Sequence, residues 1–199
     1  MQQASLRRCA LVFSAALVGA GGLAGEAILL STAGLALGFG RASAFGLALF
    51  VAGYALGSWR AGRFGGSDRR WLLALFLPAL LVVWAGVELT LFAAAAGWST
   101  LLAGSLTCLA LVASGAVQGA LLPAMLRADA AFSSSRAVAL FFTANLAGSI
   151  LGARWIGFEL VAAAGRSRAA LCAGAAAALG ALLASFLLRP DANPAQPAG

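Results

Sequence analysis

The chain has no histidine and no lysine, one tyrosine, three cysteines and six acidic residues among 199. Without histidine there can be no Ser-His-Asp or Cys-His catalytic arrangement and no Cys/His zinc site of usual spacing. Cys9, Cys108 and Cys172 stand far apart in separate apolar stretches, where each reads as a small apolar residue. Charge of either sign is scarce. Charged residues make up 10% of the chain against 62% hydrophobic, and mean hydropathy is +0.97. A soluble domain is nearer a quarter charged, so this composition belongs to the membrane class. All 13 basic residues are arginine, giving a net charge of +7. They sit at the ends of apolar runs rather than along one face, and no aromatic-interleaved basic stripe accompanies them, so the chain is not read as a nucleic-acid binder.

What the sequence does have is apolar runs near the ~20 residues needed to cross a bilayer. The first begins at Cys9 behind Arg7 and Arg8. It resembles a signal peptide, with small residues at Gly21–Gly25, but apolar sequence resumes after Glu26 and continues to Leu37, which favours an uncleaved first helix. Five more segments follow at Ser43–Trp59, Trp71–Ala96, Leu101–Leu126, Val138–Ala164 and Ala169–Leu188. Short connections join them, at Gly38–Ala42, Gly97–Thr100, Arg127–Ala137 and Gly165–Arg168. The expected organisation is one transmembrane domain, 1–188, followed by a disordered cytoplasmic tail, 189–199, carrying Pro190, Pro194 and Pro197.

The stretch Gly57–Arg70 concentrates Arg60, Arg63, Arg69 and Arg70, with Asp68, between two apolar runs. Guanidinium clusters resist translocation, so this loop is expected on the cytoplasmic side. With both termini inside, nine arginines fall on the cytoplasmic side and three (Arg41, Arg166 and Arg168) outside, while Arg154 lies within a helix. The expected location is a bacterial-type inner membrane. Glycines four apart recur at Gly34/Gly38, Gly53/Gly57, Gly115/Gly119 and Gly148/Gly152, the spacing that lets helix backbones approach closely in lipid.

Four stretches carry a family resemblance. They are Gly22-Leu-Ala-Gly-Glu26, Gly53-Tyr-Ala-Leu-Gly-Ser-Trp-Arg-Ala-Gly-Arg63, Gly119-Ala-Leu-Leu-Pro123 with Arg127, and Phe142-Thr-Ala-Asn145-Leu-Ala-Gly148 with Gly152. In this order they resemble the membrane-embedded domain of fused spermidine synthase-like proteins, itself similar to half of a major facilitator transporter. The resemblance implies an all-α polytopic bundle of six transmembrane helices. Two positions depart from the family pattern, Gly25 in place of a tyrosine and Ser31 in place of an arginine. No strand–glycine loop–helix unit follows Leu188 to hold a nucleoside cofactor, so polyamine synthesis is not expected of this sequence. The expectation is a non-enzymatic module without cofactor or metal, either transporter-like or a scaffold. Its alternative is a membrane subunit supporting a separately encoded soluble aminopropyltransferase-like enzyme. Homo- or heterodimerisation would let a six-helix unit enclose a pathway.

Three groups of residues are candidate sites. Arg60, Arg63, Asp68, Arg69 and Arg70 resemble the charged loop that latches the cytoplasmic side of major facilitator transporters, but the favoured reading is a topological anchor with no gating role. Gln118 and Asn145 lie at similar depth on adjacent helices, about 12 Å from the cytoplasmic end at 1.5 Å per residue, within reach of an interhelical amide bond. Glu26, Glu88 and Arg154 are the ionisable residues deepest in the apolar segments, each some 24–27 Å from the inner end. A charge at that depth is costly, so the three are expected to share one layer as an intramembrane charge cluster, Arg154 pairing first with Glu26. Glu159, five residues beyond Arg154, is poorly placed for pairing in an α-helix.

Overall fold

The computed structural model describes residues 2–63, 68–127 and 135–187, and the described residues are helical with no strand. The order is α1 (Gln2–Leu37), α2 (Phe39–Arg63), α3 (Asp68–Ala95), α4 (Thr100–Arg127), α5 (Ser135–Gly152), a π-helical segment (Ala153–Leu160), α6 (Val161–Ala164) and α7 (Arg166–Leu187). The π segment and α6 continue α5 as one rod, Ser135–Ala164. Five helical stretches are long and apolar enough to cross a membrane: Leu6–Leu35, Leu72–Ala95, Thr100–Leu126, Ser135–Ala164 and Arg166–Leu187. The remaining long helix, α2, has 25 residues and packs in the same bundle, most extensively on α4. The expected tail, 189–199, lies outside the described residues.

The connections are tighter than the sequence suggests. Gly38, at φ +83°, separates α1 from α2, and Gly165, at φ +85°, separates α6 from α7. At both places a single left-handed glycine stops one helix and lets the next begin, so the residues after Gly38 and Gly165 expected in these two connections are helical. The Gly34/Gly38 pair is therefore not a helix-packing pair. A Cβ on Gly38 would meet nothing within 4 Å, and its amide closes the end of α1 on the Gly34 carbonyl at 3.0 Å.

The other three glycine pairs lie at helix crossings. A Cβ on Gly53 or Gly57 of α2 would collide with the Val112 or Ala116 carbonyl of α4. From the other side, Gly115 and Gly119 of α4 press on the Phe50 and Tyr54 carbonyls of α2. The contact of α1 with α5 repeats this pattern. Gly148 and Gly152 of α5 meet the Ala16 and Ala20 carbonyls, and Gly19 of α1 meets the Asn145 carbonyl. Paired positions advance together along both crossings, so each helix pair runs parallel. Gly22 meets Gln118 while Leu37 meets Gly104, so α1 and α4 run antiparallel. The first three long helices and the last three thus occupy equivalent places with opposite direction, α1 matching α4 and α2 matching α5.

Two apolar clusters form the core. One gathers Leu11, Ala15 and Val18 of α1 with Leu121, Met125 and Phe141. The other gathers Ala24, Ile28 and Leu29 of α1 with Val83, Val87 and Leu111. Between them α1 passes through Gly19, Gly21 and Gly22, and there the interior turns polar.

Candidate functional site: a polar pocket between the two helix triplets

At this glycine-rich level four helices enclose a cavity of about 110 Å³. From α1 come Gly19, Gly22, Leu23 and Glu26, from α2 Phe50 and Tyr54, from α4 Gln118 and Leu122, and from α5 Asn145 and Ser149. Each side chain has a counterpart across the antiparallel match. Phe50 and Asn145 occupy equivalent places at their crossings, as do Tyr54 and Ser149, while Gly22 faces Gln118 directly. The cavity therefore lies on the pseudo-two-fold axis relating the two triplets. The frame is nearly symmetric, but its chemistry is not. Among the described lining residues the carboxyl comes from α1 and the carboxamides from α4 and α5.

Small residues on α1 make the room. A Cβ on Gly22 would stand 2.9 Å from Gln118 Cδ and Oε1, and one on Gly19 would stand 2.8 Å from Asn145 Nδ2. Glu26 is 6% exposed and Gln118 7%. The Asn145 amide donates to the Ala15 carbonyl at 3.1 Å, which ties α5 to α1 and leaves the amide oxygen as acceptor. Gln118 and Asn145 thus line one pocket, but the described bond from Asn145 commits one of its two amide protons to the α1 backbone rather than to Gln118. Among the described residues no basic side chain lines the cavity.

The charge cluster of Glu26, Glu88 and Arg154 does not form. Arg154 lies on the outer surface, 68% exposed, with its Nη2 donating to Glu159 Oε1 at 3.3 Å. Glu88 is half-buried on α3 and lines neither the Glu26 pocket nor the groove beside Arg154. The correction comes from backbone geometry. In an α-helix, side chains five residues apart diverge. Between Ala153 and Leu160 the helix closes i to i+5, so Arg154 and Glu159 stack about one turn apart. Glu159, expected to be poorly placed, is the partner, and Glu26 has no basic side chain beside it among the described residues of its pocket.

In the charged loop, the Arg63 guanidinium lies over the Trp59 ring, 4.0 Å from its centroid, a cation–π contact that continues α2 to its end. Arg60 and Arg70 are exposed. Asp68 and Arg69 begin α3, and 64–67 lie outside the described residues. Among the described residues no group of three or more His, Cys, Asp or Glu side chains could hold a metal ion.

Sequence reasoning missed Phe50, Tyr54 and Ser149. A signal was present: aligning Gly53/Gly57 with Gly148/Gly152 places Phe50 opposite Asn145 and Tyr54 opposite Ser149. No family model, curated protein or solved structure matches this chain.

Proposed function

We propose that this chain is a transporter-like membrane module of six spanning helices, half of a complete pathway, whose axial pocket takes a small cation. The observation that carries the reading is Glu26, a carboxyl buried between two inverted helix triplets and facing neutral acceptors. Transporter folds built from inverted repeats place substrate and coupling-ion sites at the repeat interface, near mid-bilayer. An ionisable side chain at membrane depth is expensive and marks an ion or proton pathway unless a partner neutralises it. Arg154, the partner expected from sequence, is committed to Glu159. One carboxyl, two carboxamides, the Ser149 and Tyr54 hydroxyls and the Phe50 and Tyr54 rings form a lining suited to positive charge. The module would work without enzymatic chemistry, consistent with the missing histidine.

The test is binding and uptake of a panel of small cations, polyamines included, by the protein in sealed vesicles, comparing wild type with Glu26→Gln. The isosteric change keeps the packing and removes the charge. Saturable uptake should fall at least about tenfold, equivalent to ~1.4 kcal/mol. Equal uptake by both proteins would exclude Glu26 as the site. Absence of binding and uptake in the wild type would favour the scaffold for a soluble aminopropyltransferase-like partner.

A further inference from the structure

We infer that the cation selected by the Glu26 pocket is a short primary alkylammonium with a single charge and about four or five heavy atoms, in preference to a diamine, a quaternary ammonium or a bare alkali ion. The inference rests on the reading of this pocket as a cation site and names the class of cation it takes. Charge comes first. Glu26, 6% exposed, is the one carboxylate among the described lining residues. A charge at membrane depth persists where it is paired. One carboxylate neutralises one ammonium, and a second ammonium held in the same cavity would meet neutral groups alone.

Size comes next. The cavity measures about 110 Å³. An apolar cavity of about 150 Å³ holds six-carbon benzene, so at the same filling this one holds about four or five heavy atoms. The lining then divides the ligand into a head and a tail. Asn145 keeps one amide proton on the Ala15 carbonyl, at 3.1 Å, which leaves its oxygen as an acceptor. Gln118 adds a carboxamide oxygen and Ser149 a hydroxyl, so with Glu26 the pocket has acceptors for all three N–H groups of a primary ammonium. A quaternary ammonium has no N–H to give them. Such cations are recognised by cages of aromatic faces, whereas both rings here, Phe50 and Tyr54, come from α2 and make a single wall. That wall, with Leu23 and Leu122, suits an alkyl tail. To a bare alkali ion it offers the Tyr54 hydroxyl and otherwise carbon, a poor exchange for a shell of water oxygens.

The experiment uses the full chain in phosphatidylcholine nanodiscs, with tritiated butylammonium as the probe and protein-free discs as the blank. Tetramethylammonium is an isomer of the probe with the same charge, and 1,3-diaminopropane has as many heavy atoms but carries a second charge. Each should compete at least about tenfold more weakly than unlabelled butylammonium, as should potassium and the longer hexylammonium. Leu23 is a partly exposed wall residue, so Leu23→Ala lengthens the cavity without opening the core. In that variant hexylammonium should gain at least about tenfold on butylammonium. Glu26→Gln should abolish binding of every member. If it does, but the diamine, the quaternary isomer or potassium matches butylammonium, the class is wrong and the cation site stands. Hexylammonium matching butylammonium in the wild type, or failing to gain in Leu23→Ala, overturns the size limit set by the cavity. Should Leu23→Ala not fold, the wild-type order of propyl-, butyl- and hexylammonium decides that limit alone. A wild type that binds none of these cations, or a Glu26→Gln variant that binds them unchanged, overturns the site and this inference together.

Discussion

Thr90 and Thr107 show how little a polar contact between these helices must do. Their hydroxyl oxygens lie 2.8 Å apart between α3 and α4, while Thr90 also reaches the Gly86 carbonyl at 2.7 Å and Thr107 the Ala103 carbonyl at 3.0 Å. Two hydroxyls carry two protons, so three contacts cannot all be full hydrogen bonds at once. If one hydroxyl is removed, the other falls back on its own helix and no buried donor is stranded. Thr90→Val should therefore cost only the interhelical bond, about 0.6–2 kcal/mol. The double change with Thr107→Val should cost little more than the single one. Unfolding in graded detergent mixtures measures both, and additive losses would show that the two hydroxyls act separately. Glu26 sits in the opposite situation, because none of the described side chains lining its pocket carries a positive charge.

For the helices, contact of bare backbone is the main cohesive device, since lipid supplies no hydrophobic drive between them. At Gly119 an added methyl would enter the Tyr54 carbonyl, whereas at Gly62 it would meet open space. Gly119→Ala should thus destabilise by at least about 1–3 kcal/mol through overpacking. Gly62→Ala should stabilise by up to ~1 kcal/mol through helix propensity. Opposite shifts in thermal midpoint in one detergent would confirm the difference. The existence of the helices was legible in the sequence because a 20-residue apolar run has few alternatives, and three of the four glycine pairs pointed to real crossings. The partner of Arg154 was not legible. It depends on the π segment, which changes the rotational phase of α5, and nothing in Ala153–Leu160 announces that change. The pocket was half legible: equal depth put Gln118 and Asn145 together, but the space between them comes from Gly19 and Gly22 on a third helix.

At the scale of the whole molecule, the arginines and the alternating helix directions belong to one threading. The threading expected from the arginine count, with both ends inside, would turn the α3–α4 connection outward and the Arg60–Arg70 stretch inward. In a chain freed of its own cysteines, a cysteine at Ala96 should react with an impermeant thiol reagent applied outside, and one at Gly66 should stay shielded. Ala96 is the better site than Gly97, whose φ of +68° a side chain would strain. Reaction at Gly66 without reaction at Ala96 would invert the threading.

The one-residue joint at Gly38 has a mechanical consequence. A single residue spans at most ~3.6 Å, so the joint holds almost no slack. Gly38 can swivel and so absorb a change of angle, but a slide of α1 along its axis cannot be taken up in a loop and must be handed on to α2. Glu26 lies on the first lever and the Trp59–Arg63 stack at the far tip of the second. A slide of α1 by a few ångströms along its axis would therefore be carried through the joint to the opposite end of α2.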